Sequence, residues 1–176
     1  TILLEGKEYP LKDVSFPTID PQNPFSLTED EEDLICKLRH SFVNSEKLRK
    51  HIRCLYAHGG IYLVRNSNLL FHASIPLNAD GTFKEVEIRG KKYKGKSLLD
   101  KVDQLIRTAY FDDEDSIDRN YALDYTWYLW CGEDSPSFDK DKMTTFERYF
   151  IEDKSLSKEK KGYYYELRNE ESVCDM

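Results

Sequence analysis

The 176 residues of the chain are enough for one hydrophobic core. With 39% apolar and 34% charged residues, 12 Tyr and 9 Phe, it is too aromatic for a disordered segment and too polar for a membrane protein. A net charge of −7 argues against a general nucleic-acid binder, and no apolar run approaches the roughly 20 residues that span a bilayer.

Residues 2–5 and 8–11 read as a short hairpin turned at Gly6-Lys7, and Pro10, Pro17, Pro21 and Pro24 mark an extended lead-in over 1–25. A helix opens next, because Ser26 with Glu29, or Thr28 with Glu31, fits a capping box. The acidic run 29–33 suits the positive end of its dipole. Leu34, Ile35, Leu38 and Phe42 share one face of this helix. Leu48, Ile52, Leu55 and Tyr56 share a face of a second, which starts after Asn44-Ser45 and ends at Gly59-Gly60. The opposite side of that second helix carries Lys47, Arg49, Lys50 and Arg53 and reads as a solvated basic face.

Residues 61–64 and 69–72 read as strands about a turn at Asn66-Ser67-Asn68. Alternation sends Leu70 and His72 one way and Leu69, Phe71 and Ala73 the other. Both faces are apolar, which predicts a central strand covered on both sides in a layered α/β fold. Residues 83–88 alternate and turn at Arg89-Gly90-Lys91 into 92–94. Ser97 to Asp100 then reads as the cap of the most amphipathic helix, with Leu98, Leu99, Val102, Leu105, Ile106 and Ala109 on one face.

The acidic loop 111–115 lacks the alternating ligands of a calcium loop and reads as a charged lead into a helix from Ser116. Tyr121, Tyr125, Trp127, Tyr128 and Trp130 assign that helix to core and interface. Residues 132–142 form a polar loop and 143–150 a helix. The run Lys158-Glu159-Lys160-Lys161 reads as solvated, and the tyrosines 163–165 as packing back on the body. Cys36, Cys54, Cys131 and Cys174 form no C-x-x-C pair; the first two read as buried thiols, and the set as that of a reducing cytoplasm. The chain starts at Thr1 directly on an apolar segment and stops where 169–173 reads as a capped helix start, so the expectation is a fragment of a longer protein.

Chemistry is sparse. There is no glycine-rich nucleotide loop, no G-x-S-x-G elbow and no H-E-x-x-H, and His40, His51, His58 and His72 are dispersed. His72 stands apart because it ends an apolar strand where the chain must turn. A rigid strand can project a ligand or catalytic group there, and a core histidine bonded to backbone occupies such places too. Local motifs alone leave both readings open, in a cytoplasmic domain that is α/β, or α+β in the isolated fragment.

The blocks Gly59-Gly60-Ile61-Tyr62-Leu63-Val64 and Asn68 through Leu77 resemble class III fructose-1,6-bisphosphatase, a bacterial family of Firmicutes and Bacteroidetes. Tyr93 through Asp100, Ser135-Pro136-Ser137-Phe138 with Met143 through Phe150, and Cys174-Asp175-Met176 extend the resemblance over the whole chain. The family is similar to calcineurin-like metallophosphatases, whose layered α/β sandwich holds two metals between strand-end loops. Its G-D-x-H, G-D-x-x-D-R-G, G-N-H-[DE] and G-H motifs are absent here, so the resemblance implies an internal fragment with no complete catalytic set. It implies that His72 is a metal ligand, that the metal is divalent and Mn2+ in kind, and that the parent removes the 1-phosphate of fructose 1,6-bisphosphate in gluconeogenesis. Residues 26–110 would contribute to the phosphatase core and 111–176 to a helix-rich cap or insertion.

Arg148, Lys140, Lys142 and Arg65 are candidate contacts for substrate phosphates, since cationic forks match phosphate oxygens. No nucleic-acid or membrane partner is expected, and a homo-oligomeric parent is compatible with the reading. A non-catalytic α+β interaction or regulatory module, using the aromatic helix around Trp127 and Trp130, is the competing reading.

Overall fold

A computed structural model describes residues 1–113 and 115–176. The acidic loop that contains Glu114 is therefore only partly within the described residues. In chain order the elements are β1 (Ile2–Leu4), β2 (Lys7–Tyr9), α1 (Glu29–Val43), α2 (Glu46–His58), β3 (Tyr62–Arg65), β4 (Asn68–Phe71), β5 (Val86–Ile88), β6 (Lys91–Tyr93), α3 (Gly95–Phe111), α4 (Ile117–Cys131), α5 (Thr145–Phe150), α6 (Tyr164–Leu167) and α7 (Glu171–Cys174). The strands form three separate antiparallel hairpins, β1–β2, β3–β4 and β5–β6, and the architecture is α+β.

The chain divides into two compact units, one of residues 1–58 with 146–156 and one of residues 59–145 with 157–176. In the first, Thr28 rather than Ser26 caps α1. Its backbone N–H donates to the Glu31 carboxylate at 2.8 Å and its hydroxyl accepts from Glu31 N at 3.4 Å. The bond from Thr28 N, with one from the Thr18 side chain, holds the Glu31 carboxyl below the usual carboxylate range. Before α2 the Ser45 hydroxyl accepts from Leu48 N, a single bond without the reciprocal half among the described residues. Neither helix buries a side chain: Leu34, Ile35, Leu38 and Phe42 are exposed, and so are Cys36 and Cys54, against the expectation of buried thiols. The buried side chain of this unit is Ile151, which pairs with Leu11 while Lys12 N donates to Phe150 O and Glu152 N to Pro10 O.

The second unit owns the apolar core. Leu98, Val102, Leu105 and Ala109 lie on one face of α3 and meet Ala122, Tyr125 and Leu129 of α4 and Ile88 of β5. The helix begins two residues before the predicted cap. Gly95 occupies a left-handed position at φ +49°, and a Cβ there would press on the Phe83 ring. Ser97 is the reciprocal partner of the cap, accepting from Lys94 N and donating to Lys94 O. At α4, Ser116 accepts from Arg119 N as the N-cap. Tyr125 is buried, but Trp127 and Trp130 are 73% and 70% exposed and take no part in this core.

The β3–β4 hairpin turns at Asn66-Ser67, whose φ values of 49° and 61° make the mirror-image turn that suits twisted strands. α3 holds its base: Ile61 N donates to Asp103 at 3.2 Å and the Tyr62 hydroxyl to Asp100 at 2.7 Å. The expected burial of β4 on both faces does not occur. Among the described residues its one strand partner is β3, and Leu69 and Leu70 are exposed. Alternating apolar residues state what a strand can bury, while a central position requires neighbours that these residues do not supply.

Candidate functional site

His72 is the first residue after β4, where the backbone bends. Alternation works as the sequence predicts. Leu69 and Phe71 line one apolar groove with Tyr164, whereas His72 lines a different cavity. That cavity, of about 490 Å³, is walled by Ile106 of α3, by Thr126, Leu129 and Trp130 of α4, and by Ser137, Phe138 and Met143. The imidazole is exposed and has no hydrogen-bond partner among the described residues. A core histidine would be buried and bonded. This one is neither.

The loop across the cavity is built on buried polar side chains. Ser135, fully buried, donates its hydroxyl to Leu129 O at 2.8 Å and accepts from Ser137 N. Asp139, also buried, accepts from the Ser74 hydroxyl, and its backbone carbonyl accepts from Gly162 N at 2.9 Å. Burial pushes the Asp139 carboxyl above its usual range, and the Ser74 bond opposes that shift. Nearby, Asp134 pairs with Lys84 at 2.7 Å and raises the lysine above its ordinary value. Tyr128 is pushed up to about 12, chiefly by burial, and donates to Glu133 O.

The run 158–161 is not simply solvated. Glu159 accepts from Lys140 Nζ at 2.7 Å, from Thr144 N at 3.2 Å and from the Thr144 hydroxyl at 2.8 Å. These bonds, the lysine's first, bring its carboxyl down to about 2. Residues 140 and 161 form a bridging pair beside it. The charge count of Lys-Glu-Lys-Lys suggested solvent, but the partners lie 19 and 15 residues upstream and local sequence does not announce them.

The four sequence-derived cations differ in their surroundings. Lys140 is engaged by Glu159 and lies over the Phe138 ring. Lys142 is exposed next to the cavity residue Met143, and Arg65 ends β3 in an exposed position. Arg148 belongs to the other unit, on α5. Ser74 and Asp139 escaped sequence reading altogether. The sole hint was a serine two residues after the strand-end histidine.

Comparison with known proteins places the chain. The family model described as Firmicute fructose-1,6-bisphosphatase matches residues 1–176. The chain belongs to this family. It is 68% identical over 171 residues to fructose-1,6-bisphosphatase class 3 of Bacteroides fragilis, covering 97% of the chain and 26% of that protein. The enzyme of the same name from Bacteroides thetaiotaomicron is 65% identical over the same shares, and that of Porphyromonas gingivalis 56% identical over 100% of the chain and 27% of that protein. The chain thus spans about a quarter of the length of the curated relatives it matches. No solved structure matches it.

A family of metal-dependent phosphatases raises the question of donors. Among the described residues no group of three or more His, Cys, Asp or Glu side chains could hold a metal ion. The donor chemistry fits a single ligand, His72 with its ring nitrogens unengaged, and does not fit a complete centre. No helix among the described residues is long and apolar enough to cross a membrane.

Proposed function

We propose that the chain is a segment of a class 3 fructose-1,6-bisphosphatase that hydrolyses fructose 1,6-bisphosphate to fructose 6-phosphate and phosphate in the cytoplasm, in gluconeogenesis. His72 serves as one ligand of its metal centre. The observation that carries this reading is the exposed, unpartnered imidazole at the end of β4, in a chain the family matches from end to end. The chemistry that divalent cations, Mn2+ on this reading, would supply when bound is activation of water and neutralisation of phosphoryl charge. The protein's part is positional. β4 fixes the backbone, the His72 imidazole that follows it would offer one nitrogen, and the remaining donors would come from outside these residues.

Phosphate recognition falls to the cations. Arg65 and Lys142, whose side chains have no partner among the described residues, are free to meet phosphate oxygens, whereas Lys140 would act from within its pair with Glu159. Arg148 is the fourth candidate.

The decisive experiment is His72→Ala in the full-length protein. Turnover is expected to fall sharply with the melting curve retained; wild-type turnover would remove His72 from the site. The 176-residue chain alone is expected neither to hydrolyse the substrate nor to bind Mn2+ tightly, because one ligand makes no two-metal site. Metal-dependent turnover by that material would overturn the reading.

A further inference from the structure

The segment that carries His72 is anchored two residues further on. Ser74 is fully buried; its N–H donates to Pro136 O at 3.1 Å and its hydroxyl donates to the Asp139 carboxylate. The two bonds grip both ends of the stretch 136–139, whose Ser137 and Phe138 form a wall of the cavity beside the imidazole. Asp139 is in turn held by Gly162, whose N–H bonds its carbonyl and whose missing side chain makes room for the carboxylate, since a Cβ there would collide with it.

This is a costly way to fill space. Burying a carboxylate and a hydroxyl carries a desolvation cost that their bond must offset, and an apolar pair of similar volume would pack as well or better. What the polar pair adds is direction, since a hydrogen bond fixes distance and angle where apolar contact tolerates sliding. A 1 Å misplacement near a reacting centre can cost roughly 100-fold in rate.

We infer that the Ser74–Asp139 hydrogen bond is the positioning element of His72, setting where the imidazole leaves the end of β4. The inference rests on His72 being a metal ligand. On this inference Ser74 and Asp139 act through the backbone of His72 and Ala73.

Ser74→Ala, Asp139→Ala, Asp139→Asn and His72→Ala in the full-length protein test it, read by Mn2+ affinity in titration calorimetry, by kcat and by thermal melting. Ser74→Ala and Asp139→Ala should each weaken Mn2+ binding and lower kcat by about tenfold or more. Asp139→Asn should keep wild-type values, because the amide oxygen still accepts the Ser74 hydroxyl. Wild-type affinity and kcat in Ser74→Ala would overturn the inference. So would an Asp139→Asn as impaired as Asp139→Ala, which would make the charge the cause. Should Asp139→Ala fail to fold, Ser74→Ala decides, since it removes a single oxygen. His72→Ala separates the two proposals: if it is inert, the ligand reading fails, and if it is impaired while Ser74→Ala is not, only the positioning role fails.

Discussion

Helices α1 and α3 carry apolar stripes of the same design and meet opposite fates. On α3, Leu98 and Val102 are fully buried against α4, with Leu105 and Ala109 beside them. On α1, Leu34, Ile35, Leu38 and Phe42 remain 49–67% exposed, and α2 leaves Leu55 at 62%. Periodicity explains which side of each helix favours burial. It does not say whether these 176 residues contain the surface that provides it, and the chain is about a quarter of its relatives' length. The contrast teaches that an amphipathic pattern is a statement about a helix and a partner together.

The sharpest way to break this contrast is a matched pair of truncations in the 176-residue chain. Leu98→Ala removes a fully buried side chain and should cost about 2–5 kcal/mol in urea unfolding. Leu38→Ala, on the exposed stripe, should change stability by less than about 0.5 kcal/mol. Equal losses would mean that α1 is packed as firmly as α3.

A smaller effect should come from the polar fastening of the second unit. Glu159→Gln removes a charge held by Lys140 and Thr144 and should cost about 1–2 kcal/mol at pH 7. The folded carboxyl lies near 2, below its ordinary value of 4.5, so its stabilisation is complete above about pH 4.5 and disappears as pH falls toward 2. Wild-type and Glu159→Gln stabilities should therefore converge in acid. A constant gap down to pH 2 would show that the carboxylate contributes through packing alone.

Of the polar contacts, the cap of α1 should have the smaller effect. Thr28→Ala deletes the capping hydroxyl of α1 and should cost about 1 kcal/mol, seen as lost helical signal in circular dichroism. Because α1 buries no side chain, the loss should stay local and leave the transition of the α3–α4 core unchanged.

Local order was therefore legible in the residues themselves. The capping box of Thr28 and Glu31, the turns at Asn66-Ser67 and Arg89-Gly90, the stripe of α3 and the alternation that parts His72 from Phe71 are all short-range, and short-range backbone chemistry decides them. Tertiary structure alone decided the rest. Whether β4 gained neighbours, whether Trp127 and Trp130 were covered, and whether Glu159 met solvent or Lys140 depend on residues distant in the chain. The same holds for His72. Sequence placed it at a strand end, but only the fold left its ring exposed and unpartnered and set the Ser74–Asp139 bond behind it, because burial and hydrogen-bond partnership are properties of what surrounds a residue rather than of the residue itself.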